Sequence, residues 1–202
     1  MCPEKSSFPL PFPGVSSLPD HLAYSKIRTK SHAFQIERRH FPMSIAAVRD
    51  YLTPFGLADK ILEFSTSSAT VELAAQAAGV IPARIAKSLS FKVEDRAVLI
   101  IAAGDAKVDN PKFKAAFHTK AKMLTPEEVT DLVGHAIGGV CPFAIKDTAD
   151  VYLDISLQRF DTVFPAAGSA NSAVELTCDQ LAQCAQNFRG WGDFCKGWQE
   201  NP

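Results

Sequence analysis

The chain lacks the long apolar segments and paired cysteines that mark membrane, secreted and zinc-binding proteins. Its longest apolar run, 97–103, is closed by a glycine and an aspartate, whereas a membrane span needs roughly 20 apolar residues. The five cysteines are odd in number, none forms a C-x-x-C pair, and early prolines interrupt any signal peptide. We therefore expect a soluble, cytoplasmic protein that uses no metal or other cofactor.

A nucleophile motif is also missing, because the sequence contains no G-x-S-x-G elbow, which disfavours a general esterase or amidase. Cys141 beside Pro142 is better explained as a small buried hydrophobic residue than as a nucleophile. Histidine as a residue type titrates near neutrality, so His118 and His135 are candidate general bases. Both lie at predicted helix ends, where capping or solvent exposure is the commoner role.

Charge is nearly balanced, with a net value of −1. The first 42 residues hold six Lys/Arg against three Asp/Glu, so the remainder is mildly acidic. This balance argues against a protein that coats nucleic acid, but one local basic cluster remains: Lys107, Lys112, Lys114, His118, Lys120 and Lys122. A phosphate contact surface and an ordinary solvated helix face explain this cluster equally well.

The composition divides the chain at residue 43. Residues 1–42 are rich in proline and polar residues without periodicity, which predicts a flexible extension, and 43–202 predicts a single folded domain. Within that domain, spacing and capping residues predict helices over 45–52, 70–78, 110–118, 127–133 and 180–187. Strands are expected over 85–91, 97–103 and 151–155, the first two forming a hairpin. The segment 138–145 is expected to be a glycine-led turn that leads into a strand, and residues 162–165 and 172–176 flank a run of small residues.

Lys87 interrupts an otherwise apolar strand face. Alternation places it with Ile85, Leu89 and Phe91, and places Ser88 on the opposite face. A buried amine is costly unless it meets a counter-ion, water or ligand, so a pocket beside Lys87 is one explanation. An edge strand, or an amine that reaches past its neighbours to solvent, is the alternative.

Two glycine-led turns are natural partners for this lysine. They are Gly138-x-x-x-Pro142 and Gly168-Ser169, the second within a run of small residues from 166 to 171. Free backbone N–H groups at such turns can hold a carbonyl oxygen, a phosphate or a water. Taken singly, each turn is as readily explained as a simple change of chain direction.

Together these residues resemble the YbaK/prolyl-tRNA synthetase-associated editing domains. The similarity runs from about Ser44 to the C-terminal tail. It includes Lys87 within Ala-Lys-Ser-Leu, the Gly138 loop, and the Ala-Gly-Ser-Ala-Asn-Ser segment that begins at Ala167. Two further segments of the family pattern lie between Lys87 and Gly138: Gly-Asp-Ala-Lys-Val-Asp at 104–109 and Leu-Thr-Pro-Glu-Glu-Val at 124–129. One departure is Ser88, because several family members carry asparagine there. The role of Ser88 is left open.

The resemblance implies an α+β fold, in which a strongly curved, barrel-like mixed sheet is flanked by helices. It also implies hydrolysis of wrongly charged transfer RNA without a catalytic triad or metal. Lys87, Gly138, Gly168 and Ser169 would form the catalytic centre. Four neighbours would contact the substrate: Val140, Pro142, Ala167 and Asn171. If the basic cluster described above is a phosphate contact surface, four of its lysines are the candidates for binding the transfer RNA acceptor end: Lys107, Lys112, Lys114 and Lys120.

We therefore expect a trans-acting deacylase for transfer RNA charged with alanine, serine, threonine or cysteine, present as a monomer or weak homodimer. An aminoacyl-tRNA synthetase is a further candidate partner, and no membrane is involved. The alternative is a non-catalytic module that uses the same pocket to sense an amino acid or aminoacyl-adenylate, or to bind a synthetase. Turnover of charged transfer RNA distinguishes the two.

Overall fold

The computed structural model describes residues 44–199. The extension expected over 1–42 lies outside this range. Five helices are described, and side chains close the N-termini of all five: α1 (Ile45–Leu52), α2 (Val71–Ala78), α3 (Asn110–Phe117), α4 (Pro126–Leu132) and α5 (Cys178–Cys184). None of the helices within 44–199 has the length and apolarity required to cross a bilayer.

The capping signals in the sequence explain these helix starts. Thr125 caps α4 in a capping box with Glu128, as predicted, and Thr177 forms the same arrangement at α5 with Gln180. Each box satisfies backbone N–H groups that the first helical turn leaves without partners. The α1, α2 and α3 predictions are likewise confirmed to within a residue or two.

Nine strands are described: β1 (Ile61–Glu63), β2 (Ile85–Val93), β3 (Arg96–Ala103), β4 (Lys107–Val108), β5 (Ala149–Asp154), β6 (Phe164–Pro165), β7 (Ser172–Val174), β8 (Phe188–Gly192) and β9 (Cys195–Lys196). Five of them form a curled sheet in the order β6-β2-β3-β5-β8. The β2–β3 hairpin is antiparallel, and the other three pairings are parallel. The expected α+β fold with a curved mixed sheet is thus confirmed.

Strand β3 lies at the centre of the core. Residues 97–103 are all buried, because β2 and β5 pair with its two edges and the protein covers both of its faces. An uninterrupted apolar strand is typical of this doubly covered position. The sheet therefore holds β2, which carries Lys87, rigidly against the core.

Two sequence-based element predictions are wrong. The segment 138–145 is a loop, since Gly138 (φ +90) and Ala144 (φ +49) have left-handed backbone conformations and Pro142 offers no N–H to a strand partner. The last helix ends at Cys184 and does not continue to Asn187, whose φ is +53. The chain then turns into β8 and β9, which the sequence did not predict.

Candidate active site

A cavity of about 270 Å³ opens on one side of β2. Its lining is small and mostly apolar, with several hydroxyl groups. The lining comes from α2 and the loop before it, from β2, from the 137–140 loop, from β7, and from β6 and the residue that follows it, together with Met123. The lining residues are Ser68, Ala69, Thr70, Val71, Ala74, Ile85, Ala86, Lys87, Ser88, Ser90, Met123, Ile137, Gly138, Val140, Phe164, Ala166, Ser172 and Ala173. The cavity thus joins segments that are distant in sequence.

Strand β2 presents different side chains on its two faces. Ala86, Ser88 and Ser90 line the cavity, while the Lys87 side chain projects towards the opposite face, as alternation predicts. Lys87 still borders the cavity. The pocket expected beside Lys87 is therefore present, but the serine face of the strand forms its wall. The sequence did not indicate this role for Ser88.

The Lys87 amine is held by the backbone at the end of β3. Its Nζ donates a hydrogen bond of 2.8 Å to the carbonyl oxygen of Gly104. Burial lowers the pKa of Lys87, and attraction by Asp105 and Glu72 opposes part of that effect. An ammonium has three N–H donors, so two remain available to a ligand.

Gly104 is required for this arrangement. A Cβ at Gly104 would overlap the backbone carbonyl of Pro82 and lie 2.6 Å from Cγ1 of Val71. The absence of a side chain therefore lets the turn after β3 pack against the start of α2 and the 3-10 turn Pro82–Arg84. The glycine that closes the apolar run in the sequence was the signal for this close approach.

The two glycine turns contact each other directly. A Cβ at Gly139 would lie 2.8 Å from the carbonyl carbon of Gly168 and from the backbone nitrogen of Ser169. Gly138 and Gly168 both have positive φ, +90 and +87. The turns thus form one backbone platform at the cavity, and the N–H of Gly138 has no hydrogen-bond partner among residues 44–199.

Ser169 is connected to the cavity by a hydrogen bond to Ser172, a residue of the cavity lining. Its Oγ lies 2.7 Å from Oγ of Ser172, which lines the cavity, and 2.9 Å from Oδ1 of Asn171. The Asn171 amide in turn donates to the carbonyl oxygen of Phe64. These contacts attach the small-residue turn to β7 and to the segment that follows β1.

The structure brings only part of the expected substrate-contacting set to the cavity surface. Val140 lines it, together with Lys87 and Gly138. Ala167 and Pro142 are buried behind the loops, and the Pro142 carbonyl accepts a hydrogen bond of 2.9 Å from the Gln186 N–H. Three other expected residues do not line the cavity: Gly168, Ser169 and Asn171. They support its walls, because Gly168 packs against Gly139, Ser169 is hydrogen-bonded to Ser172 and Asn171 is hydrogen-bonded to Phe64.

Cys141 and His135 lie beneath the loop and away from the cavity lining. Both are fully buried, and Nε2 of His135 lies 2.9 Å from the carbonyl oxygen of Phe143. Burial raises the pKa of the Cys141 thiol to about 12 and lowers the pKa of His135. A protonated thiol and a neutral imidazole suit structural positions. His118 is exposed and terminates α3 with φ +57.

The four lysines expected to bind transfer RNA have different surroundings. Lys107, Lys114 and Lys120 are exposed. Lys112 is already engaged, because its Nζ contacts Oδ1 of Asp193 at 2.7 Å and the carbonyl oxygen of Cys195 at 2.9 Å. Within 44–199 no group of three or more His, Cys, Asp or Glu side chains is placed to hold a metal ion.

The described residues thus form an α+β domain with a curved sheet and a small cavity between β2 and the two glycine turns. The aminoacyl-tRNA editing domain profile matches residues 66–184. The chain belongs to this family.

Three similar proteins support the assignment. The uncharacterized protein YwhH of Bacillus subtilis (strain 168) is 52% identical over 158 residues, 78% of this chain and 100% of YwhH. The proline--tRNA ligase of the same strain is 35% identical over 86 residues, 42% of this chain but only 15% of the ligase. A crystal structure of a candidate trans-editing enzyme for prolyl tRNA synthetase has 30% identity and a TM-score of 0.68, covering 76% of this chain and 97% of that one.

Proposed function

We propose that this protein hydrolyses, in trans, the ester that joins a small amino acid to transfer RNA. The supporting observation is the cavity, whose walls bring Lys87 and the unpartnered N–H of Gly138 to one small space in a domain of the editing family. An aminoacyl ester is already activated. Orienting a water and stabilising the developing oxyanion can therefore supply much of the rate without a protein nucleophile.

The side chains that line the cavity suit a small amino acid. Much of the lining consists of alanines, and the hydroxyls of Ser88 and Ser90 add polar positions on the β2 side. This lining suits alanine, serine, threonine or cysteine.

Each group has a defined task in the proposed reaction. Water attacks the ester carbonyl carbon, and negative charge develops on the carbonyl oxygen. The Lys87 ammonium and the Gly138 N–H stabilise that charge. The bond from the carbonyl carbon to the ribose oxygen then breaks, and that oxygen takes up the proton that the attacking water gives up, which the neighbouring ribose hydroxyl relays. Gly168 and Ser169 act through position, because they hold the platform and Ser172.

The acceptor end of transfer RNA is the proposed partner. Lys107, Lys114 and Lys120 are exposed cations that can contact its phosphates. Lys112 instead ties α3 to the 193–195 segment.

The test is a complete panel of mischarged transfer RNAs incubated with purified protein. We expect release of at least one small amino acid, and loss of that release in K87A. Lys60 is exposed and its amine contacts Gln180, so K60A is the matched control and should retain activity. If the wild-type protein leaves every member of the panel charged, the hydrolase proposal is wrong. Stabilisation by free amino acids without turnover would then favour a sensing module.

A further inference from the structure

Arg159 connects the end of β3 to the C-terminal tail. It is the last residue of the 3-10 turn Ile155–Arg159. Its Nη2 contacts Oδ1 of Asp105 at 2.6 Å, its Nε donates to the carbonyl oxygen of Ser156 at 3.0 Å, and its Nη1 donates to the carbonyl oxygen of Trp198 at 3.0 Å. The guanidinium also lies over the Trp198 ring, 5.2 Å from its centroid. These contacts fix the planar guanidinium from several directions.

The Asp105–Arg159 pair lies directly behind the residue that holds Lys87. Asp105 follows Gly104, whose carbonyl oxygen accepts the Lys87 hydrogen bond. The residue before Gly104 donates its N–H to Oγ of Ser156 at 3.1 Å, so the turn that carries Arg159 is bonded to the end of β3. The two side chains of the pair are only 17% and 19% exposed. Solvent and salt therefore screen their charges weakly.

Asp105 and Glu72 both attract the Lys87 ammonium, and they differ in exposure. Glu72 is exposed on α2, where water and salt screen its charge, whereas Asp105 is largely buried. Lys107 opposes the attraction. Burial raises the pKa of the Cys195 thiol, which stays neutral. Asp105 is therefore the carboxylate whose neutralisation matters most to Lys87.

A released Asp105 carboxylate would compete with the substrate for Lys87. Carboxylates form strong, charge-assisted hydrogen bonds with ammonium groups, so Asp105 would occupy N–H groups that the proposed reaction needs. Its negative charge would also repel the oxyanion that develops on the ester carbonyl. Arg159 reduces both effects, since its guanidinium already binds the carboxylate.

We propose that Arg159 is a positioning residue for hydrolysis, which acts by holding the Asp105 carboxylate away from the Lys87 ammonium. Arg159 and Asp105 do not line the cavity, so neither touches the substrate in the proposed reaction. This inference rests on the proposed function. It gives the ion pair the task of keeping Lys87 available to the oxyanion, in addition to its contribution to the fold.

The test compares R159Q with the double variant D105N/R159Q in single-turnover deacylation of the charged transfer RNA that wild type hydrolyses fastest. R159Q should slow the reaction by about tenfold, because the released carboxylate then acts on Lys87. The double variant lacks that carboxylate and should recover most of the rate, although it has lost the same hydrogen bonds to the tail. A double variant as slow as R159Q would overturn the inference, since lost packing would then explain both.

The ionisation of Lys87 provides a measurement that needs no turnover. NMR titration of protein with isotope-labelled lysine gives its pKa, and comparison with K87M identifies the signal. R159Q should raise the pKa of Lys87 and D105N should lower it, because the first change releases a negative charge that the second removes. An unchanged pKa of Lys87 in either folded variant would overturn the inference, so D105N tests it even if R159Q does not fold.

R159K separates charge from packing. It keeps a cation beside Asp105 but lacks the guanidinium fork, so it should lower the melting temperature through weaker bonds to Ser156 and Trp198. Its deacylation rate should exceed that of R159Q, and its Lys87 pKa should stay closer to the wild-type value. Equal rates in R159K and R159Q would assign Arg159 to the fold alone and contradict the proposal.

R96Q is the matched control. Arg96 binds Asp150 through two hydrogen bonds at the opposite end of β3, so R96Q loses a comparable ion pair far from Lys87. It should change neither the deacylation rate nor the pKa of Lys87. If wild type releases no amino acid from any charged transfer RNA, the hydrolase proposal is wrong, whereas the pKa measurements still decide whether Arg159 holds Asp105 away from Lys87.

Discussion

The Lys87 ammonium donates a 2.8 Å hydrogen bond to the carbonyl oxygen of Gly104. Lys87 lies on β2 and Gly104 directly follows the paired strand β3, so the sheet itself orients the amine. Burial lowers the pKa of Lys87, which means that the fold bears a cost for placing a cation there. The proposed role of Lys87 as a fixed donor to the developing oxyanion would account for such a cost.

Replacing Lys87 by methionine separates function from stability. K87M keeps the length of the apolar stem and removes the charge, so we expect deacylation to fall by about 10²-fold or more. The melting temperature should stay the same or rise, because a partly desolvated ammonium is lost. Single-turnover deacylation and thermal unfolding measure the two effects. Equal activity in K87M and wild type would show that the ammonium has no role.

Gly139→Ala should separate the two glycine turns. The new Cβ would lie 2.8 Å from the backbone of Gly168 and Ser169, and backbone cannot rotate away as a side chain can. We expect a loss of about 1–3 kcal/mol in the free energy of unfolding together with a fall in kcat/KM. Urea unfolding and deacylation assays measure these changes.

Gly56→Ala is the control for that variant. Gly56 has φ +68, and a Cβ added there would meet nothing within 4 Å, so the variant should lose about 1–2 kcal/mol through backbone strain alone. Its activity should be that of wild type. Loss of activity in both variants would mean that lower stability alone impairs hydrolysis, and the platform would have no specific role.

Ser88 should influence the choice of amino acid. Its Oγ is buried without a hydrogen-bond partner among the described residues, so it can turn towards the cavity without breaking a bond. We expect S88A to slow hydrolysis of seryl or threonyl esters by about tenfold, the value of one good hydrogen bond. Alanyl esters, which lack the hydroxyl, should react at the wild-type rate.

Parallel kinetics on the seryl and alanyl substrates test the Ser88 prediction. S65A, at an exposed position, should change neither rate. A uniform decrease on both esters in S88A would instead assign the residue to support of the strand.

His135 should make stability depend on pH. Burial lowers its pKa in the folded state, whereas the unfolded chain has a pKa near 6.5. Between these two values the unfolded state binds more protons, so stability falls as pH decreases below about 6.5 and levels off below the folded pKa. Urea unfolding at pH 7.5 and 5.5 should show a smaller decrease in H135Q than in wild type. An unchanged decrease in H135Q would refute the prediction.

The exposed lysines should determine the salt dependence of transfer RNA binding. K114A and K120A should each weaken binding and reduce the slope of log K against log salt by about 0.7–0.9 for each phosphate that is no longer neutralised. K112A should lower the melting temperature instead, since it breaks the hydrogen bonds to Asp193 and Cys195. Filter binding at several salt concentrations gives the slopes, and slopes equal to that of wild type would exclude these lysines from the binding surface.

Much of the fold could be predicted because its determinants are local. Thr125, Thr177 and Ser44 cap helices through side chains three residues or fewer from their partners. The β2–β3 hairpin likewise follows from two apolar runs separated by a short polar turn. The ordered motifs also indicated the family, which the profile match and the similar structure confirm.

Other features had no local signal. Strands β8 and β9 pair with β5 and β4, respectively, across 36 or more positions of chain, and nothing in 188–196 alternates strongly enough to predict them. The 138–145 segment appears strand-like in sequence, but Gly138 and Ala144 adopt positive φ. This conformation depends on packing against the 168–170 turn and on the Pro142–Gln186 hydrogen bond.

By itself the sequence determined the caps, the central apolar strand, the lysine on a buried strand and the two glycine turns, because each depends on neighbours along the chain. Three relationships were decided only by the tertiary structure. Ser88, on the face of β2 opposite the Lys87 side chain, forms part of the cavity wall. Gly139 packs against the backbone of Gly168, and the Lys112 amine is hydrogen-bonded to Asp193. These relationships arise where distant segments pack together. Their geometry follows from the curvature of the whole sheet, which no short stretch of residues encodes.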